Sequence, residues 1–166
     1  MIVTKSIEID MGHRVPNHQS KCRHPHGHRY KIELGVDDEL ITSEGVSNEG
    51  MVMDFGDMKK VLKNCVEDIF DHSSVYWDRD KAMIRAFVER DDLYYPSYSP
   101  LVGLVYDAPG LKDDIECVYF TNFIPTAENL AKYWYQQMKF VLEQKNIKIH
   151  HVTVWETPSS STTCQI

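Results

Sequence analysis

Two runs of alternating apolar and polar residues, Ile2 to Asp10 and His28 to Val36, bracket a stretch that continues neither pattern. Alternation of period two puts every second side chain on one face, so each run reads as a half-buried strand. Two such runs joined through a loop are natural antiparallel partners. The intervening residues, Met11 to Gly27, carry Gly, Pro and Asn. A connection that long without structure of its own is usually functional in a compact domain. Five of the eight histidines sit in or just beyond it: His13, His18, His24, His26 and His28.

His26-Gly27-His28 opens the second predicted strand, and residues i and i+2 of a strand project to the same face. Gly27 removes the side chain between them. His13 follows the first strand, where antiparallel pairing brings it alongside. Three neutral imidazoles would leave a tetrahedral zinc ion one open position, the catalytic rather than the structural arrangement. His18 and His24 read as solvent-facing loop residues. A surface histidine cluster that takes up metal adventitiously is the alternative that spacing leaves open.

Residues Asp37 to Gly50 are polar and acidic and read as a connection. Asp54 is placed to cap a helix beginning at Phe55. In it Phe55, Met58, Val61, Leu62, Cys65, Val66, Ile69 and Phe70 repeat at helical spacing. A second helix is predicted over Ala127 to Glu143, capped by Thr126 after Pro125. Leu130, Ala131, Trp134, Met138, Val141 and Leu142 fill its apolar face. The last strand is predicted over Lys148 to Glu156, with a mobile Ser/Thr-rich tail after it. Lys81 to Arg90 has the makings of a short helix, and YYPSYSP and DAPG are turn-rich. The order of elements predicts one α+β domain over residues 1–166, with helices on one face of an antiparallel sheet.

Charge and composition exclude some classes of function. The net charge of -7 and pI near 5.6 argue against a nucleic-acid binder, which would show a basic stripe. No stretch approaches the roughly 20 apolar residues that span a bilayer. The opening MIVTKSIEID lacks the apolar core of a signal peptide, so cytoplasm is the expected compartment. The cysteines at 22, 65, 117 and 164 form no C-x-x-C pair, so a thiolate zinc knuckle or redox motif is not expected.

Taken together, these segments resemble the 6-pyruvoyltetrahydropterin synthase and 6-carboxytetrahydropterin synthase family. The resemblance rests on His13 after the first strand, Lys21-Cys22-Arg23-His24-Pro25-His26-Gly27-His28, Gly50-Met51-Val52-Met53-Asp54-Phe55, Asp71-His72, Pro125-Thr126-Ala127-Glu128-Asn129 and Trp155-Glu156-Thr157, in the family's order. Three residues separate Cys22 from His26, as in the carboxy-type enzymes of the queuosine pathway; the pyruvoyl type carries a longer gap. The chain departs from the family at Phe70 and at Ser73-Ser74-Val75-Tyr76, and its variable segment at about 77–114 is longer than in compact relatives.

The resemblance implies a tunnelling fold, in which antiparallel sheets of several subunits close into a barrel with helices outside. It implies a homohexamer of two trimers with active sites between subunits. It implies zinc held by His13, His26 and His28, and a reaction on 7,8-dihydroneopterin triphosphate. The carboxy-type product is 6-carboxy-5,6,7,8-tetrahydropterin, with triphosphate and acetaldehyde released. Pyruvoyl-type elimination of triphosphate and a non-catalytic pterin-binding relative are the alternatives. Cys22 stands as the general base, flanked by the cations Lys21 and Arg23. His72 stands as a proton relay with Asp71 as its partner. Glu156 anchors the 2-amino-4-oxo pyrimidine ring through two hydrogen bonds, with contacts near Thr126. Lys21, Arg23 and Arg29 are candidates for the triphosphate.

Overall fold

The computed structural model describes residues 1–87, 105–107 and 117–166. Within them, β1 (Ile2–His13) and β2 (His26–Asp37) form a continuous antiparallel ladder from Ile2↔Asp37 to His13↔His26. Both strands run past the alternating cores of their sequences, and the extension of β1 carries His13 into the sheet. Next come α1 (Phe55–Leu62), a π-helical turn over Lys63–Glu67 and the short α2 (Asp68–Phe70). They are followed by β3 (Ser73–Trp77), α3 (Lys81–Phe87), β4 (Val105–Asp107), β5 (Val118–Thr121), α4 (Ala127–Glu143), β6 (Ile149–Thr157) and β7 (Ser160–Cys164). The seven strands form one sheet in the order β4-β5-β3-β1-β2-β6-β7.

Three expectations need correction. The sheet is mixed, because β3 runs parallel to β1 and β5 parallel to β3. The helices after β2 cover the sheet and return the chain to the end of β1, where Met11 pairs with Ser73, so β3 leaves in the direction of β1. The Ser/Thr-rich tail is a strand: β7 pairs antiparallel with β6 from Val152↔Cys164 to Thr157↔Ser160. Its threonines suit a half-exposed pleated surface, and the Tyr135 hydroxyl donates to the carbonyl of Ile166 at 2.6 Å. Phe55 lies outside the core at 55% exposure, although Met58, Val61, Leu62, Cys65, Val66 and Phe70 are buried on the stripe it was expected to open. The predicted helix at Lys81 ends in the described residues at Phe87; its last residues, YYPSYSP and most of DAPG lie outside them.

The core lies between one face of the sheet and α1 and α4. Ile9, Met11, Ile32, Leu34, Val152 and Val154 face Met58, Leu62, Trp134, Met138 and Leu142, all buried. Phe70 meets the Trp134 ring edge-on, centroids 5.4 Å apart. Asp54 caps α1 as the sequence predicts, its carboxylate accepting the N–H of Gly56 at 2.7 Å and of Asp57 at 3.3 Å. Replacing Asp54 with Ala is expected to cost about 1 kcal/mol, read as a lower urea midpoint with an unchanged m-value.

The opposite face of β1 and β2 is polar. Asp10 pairs with Arg29 there at 2.8 Å, and the ammonium of Lys31 lies 4.6 Å from the Trp155 ring centroid. The structure thus has an apolar face under the helices and a charged face away from them, both drawn from the same two strands by alternation.

Candidate metal centre and adjoining carboxylate

His13 and His26 are direct cross-strand partners, and His28 lies two residues further along β2 on the same face. The three rings converge: centroids are 4.6 Å apart for His13 and His26, 4.9 Å for His26 and His28, and 5.3 Å for His13 and His28. One nitrogen from each ring falls within 4.8 Å of the others. His13 is buried, and the other two are partly exposed.

Carbonyls set the tautomers. Nδ1 of His13 lies 2.6 Å from the Pro125 carbonyl, and Nδ1 of His26 lies 2.8 Å from that of His24. A carbonyl only accepts, so both Nδ1 atoms carry hydrogen, and in the neutral ring it is Nε2 that keeps the lone pair. Orientation of a ring by a carbonyl behind it is the usual support for a metal-binding imidazole. Burial is the main cause pushing the pKa of His13 and of His28 down, which favours the neutral form that ligates; the nearby Glu156 charge opposes it in both. The donor set therefore fits a metal ion, and three imidazoles suit zinc with an open position.

Glu156 comes to the same place from β6. Its Oε1 is 3.5 Å from Nε2 of His13 and 3.2 Å from the hydroxyl of Tyr30. Tyr30 is fully buried, and burial first, with the Glu156 charge second, pushes its pKa well up, so it stays protonated. Cys22 sits in a single 3-10 turn, Lys21–Arg23, whose cap is the Ser20 side chain. The Cys22 carbonyl takes the Val15 N–H at 2.9 Å, which ties this turn to the residue two beyond His13. His18 spends Nδ1 on Ser20, in keeping with its reading as a loop residue.

Asp71 and His72 form a pair, Oδ2 to Nδ1 3.0 Å. The other Asp71 oxygen accepts the Asp10 N–H at 2.9 Å, the largest influence holding its carboxyl below the usual range. His72 has φ 58 and is held there by its N–H on the Asp10 carbonyl at 2.7 Å. The structure does not bring this pair to the histidine trio. His72 borders a shallow pocket lined by Asp10, Met11, Gly12, Gly27, His28, Arg29 and Ser73; Asp10, Gly12, Gly27 and Arg29 hold the strand positions that alternate away from the trio, and the β1–β2 backbone at Met11 and His28 completes the lining. Arg29 lies on that face too, bound to Asp10. Thr126 caps α4 by accepting the Asn129 N–H at 3.4 Å, next to the Pro125 carbonyl that holds His13.

Two participants escape the motif reading, Tyr30 and the Pro125 carbonyl. Tyr30 had a signal: His26, His28 and Tyr30 share one parity, so a strand that presents the first two presents the third.

A mixed sheet with helices on one face, and three convergent imidazoles beside a carboxylate, describe an α+β protein with a site that could hold a metal ion. The sequence profile described as "6-pyruvoyl tetrahydropterin synthase" matches residues 2–166, and the chain belongs to that family. The 6-carboxy-5,6,7,8-tetrahydropterin synthase of Rickettsia felis is 31% identical over 158 residues, covering 94% of each chain. Its namesake from Haemophilus influenzae is 26% identical over 158 residues, covering 95% of this chain and 94% of the relative. Among solved structures, an uncharacterised Wolinella succinogenes protein superposes with a TM-score of 0.68 at 22% identity, covering 99% of this chain and 98% of the other. The Caenorhabditis elegans 6-pyruvoyl tetrahydropterin synthase gives 0.61 at 19% identity over 99% and 94%. These likenesses bear on the fold, and the tunnelling fold stands as expected.

Proposed function

We propose that the chain is a zinc-dependent lyase that converts 7,8-dihydroneopterin triphosphate into 6-carboxy-5,6,7,8-tetrahydropterin, releasing triphosphate and acetaldehyde. The observation that carries the reading is the convergence of His13, His26 and His28 beside Glu156, with the Cys22 turn tied through Val15 to the end of the strand that carries His13. The short Cys22-to-His26 spacing and the names of the curated relatives support the carboxy type.

Zinc held by the three Nε2-bearing rings would supply Lewis acidity toward the oxygens of the substrate side chain. Everything else falls to the chain. Glu156 accepts two hydrogen bonds from the 2-amino group and adjacent ring N–H of the pterin, a planar match for a carboxylate. Thr126 lies close to that end of the site. Cys22, as thiolate, removes the proton from a side-chain carbon bearing a hydroxyl. Asp71 orients His72, so that His72 hands on the second proton. Because His72 faces away from its own chain's trio, it serves the site of a second copy, in keeping with a hexamer whose sites lie between subunits. Among the described residues no helix is long and apolar enough to cross a membrane, and a cytoplasmic location accords with the chemistry.

The family profile and the C. elegans structure carry the pyruvoyl name, which keeps triphosphate elimination as the second reading. Incubating zinc-loaded protein with 7,8-dihydroneopterin triphosphate separates them. Acetaldehyde among the products is expected, and chelation should stop turnover until zinc is restored. A retained three-carbon side chain would select the pyruvoyl reaction, and bound but unaltered pterin a non-catalytic relative.

A further inference from the structure

The geometry points to Tyr30 as a positioning residue that fixes the orientation of the Glu156 carboxylate and so sets the preference of the site for a 2-amino-4-oxo ring. The inference rests on the reading of Glu156 as the ring anchor.

Glu156 needs such a support because the sheet does not pin it. The β2–β6 ladder ends at Lys31↔Trp155. The β6–β7 register shifts between Trp155 and Thr157, where Trp155 pairs with Ser161 and Thr157 with Ser160, so Glu156 is the extra residue of a bulge. Bulges re-aim a side chain and release it from cross-strand neighbours. Glu156 is also 30% exposed, so packing does not enclose its carboxylate completely.

The Tyr30 hydroxyl is the group that meets it, 3.2 Å from Oε1. That hydroxyl has one hydrogen and two other atoms near it, Nδ1 and Nε2 of His13 at 3.3 and 3.2 Å. Nδ1 is committed to the Pro125 carbonyl and carries its own hydrogen. Nε2 belongs to the convergent trio. The carboxylate is therefore the acceptor left for the Tyr30 O–H, and a hydrogen bond to a charged acceptor is among the stronger kinds. Oε2 and the free lone pair of Oε1 then keep one direction, which a two-point match to a planar ring requires. A ring with oxygen in place of the 2-amino group loses one of the two donors and gains little from a fixed carboxylate.

The test uses zinc-loaded full-length protein and two probes, 7,8-dihydroneopterin and its 2-oxo (lumazine) analogue, with affinities from fluorescence titration. Tyr30→Phe removes only the hydroxyl from a buried ring. It is expected to weaken dihydroneopterin about ten-fold, to leave the lumazine analogue within two-fold, and to leave zinc content unchanged. Wild-type discrimination in Tyr30→Phe overturns the inference. Equal loss of both probes, or loss of zinc, overturns it too, because the hydroxyl would then support the trio or the fold instead. Glu156→Gln tests the underlying reading separately: it should itself abolish the preference, and if it binds both probes like wild type, the anchor assignment fails whatever Tyr30→Phe does.

Discussion

Cys22→Ala is expected to lower kcat by about 10²–10⁴, the range that a positioned general base contributes, while zinc content stays at the wild-type level. The two readouts separate because the 3-10 turn that holds Cys22 is anchored through its backbone: its carbonyl takes the Val15 N–H and Ser20 caps its own N–H. Alanine keeps both contacts. His13, His26 and His28 are held by the β1–β2 ladder and by the carbonyls of Pro125 and His24, none of which involves the thiol. A variant with full turnover would remove Cys22 from the chemistry; one that lost zinc would make it part of the metal site.

Asp80→Ala should produce the largest loss of stability among single polar replacements in the described part of the chain, about 3–5 kcal/mol. Asp80 is almost fully buried, and its Oδ2 lies 2.8 Å from Nε of Arg14, itself mostly covered. Removing the carboxylate leaves a guanidinium in a low-dielectric setting with its counter-charge gone. The other oxygen accepts the N–H groups of Ala82 and Met83 at 3.2 and 3.4 Å, so the start of α3 is lost with it. Urea unfolding monitored by tryptophan fluorescence reads the shift in midpoint. Asp80→Asn, which retains the capping oxygen, should recover part of it. Because Arg14 follows His13, the destabilised variant is also expected to bind zinc more weakly, and equal affinity would show that the pair holds only α3.

The strand pair and the trio were legible because they depend on parity, which is local. Once β1 and β2 alternate and pair, His13, His26 and His28 must share a face. α4 was legible to the residue, since Thr126 caps it and Leu130, Trp134 and Met138 recur at helical spacing. What stayed hidden was either long-range or written without hydrophobic contrast. β7 reads SSTTC, which carries almost no apolar signal, and it is a strand because β6 offers it a partner. The parallel placement of β3 follows from where the helices return the chain, which no window of sequence states. Asp71 and His72 were expected to interact and do, at 3.0 Å. Their face could not be read, because the φ of 58 at His72 breaks the alternation that would have reported it.

The ladder from Ile2↔Asp37 to His13↔His26 also limits how such a chain can change over generations. Every position on these strands belongs to one of two interleaved sets, and the sets have opposite characters: imidazoles, Tyr30 and core residues in one, Asp10, Arg29 and glycines in the other. Deleting or inserting a single residue within either strand transposes the sets from that point on, burying charge and expelling ligands in one event. A change of two residues preserves the assignment and merely slides it. Length variation that leaves the trio intact is therefore confined to even steps within the strands, or to the connections between them, where parity has no meaning.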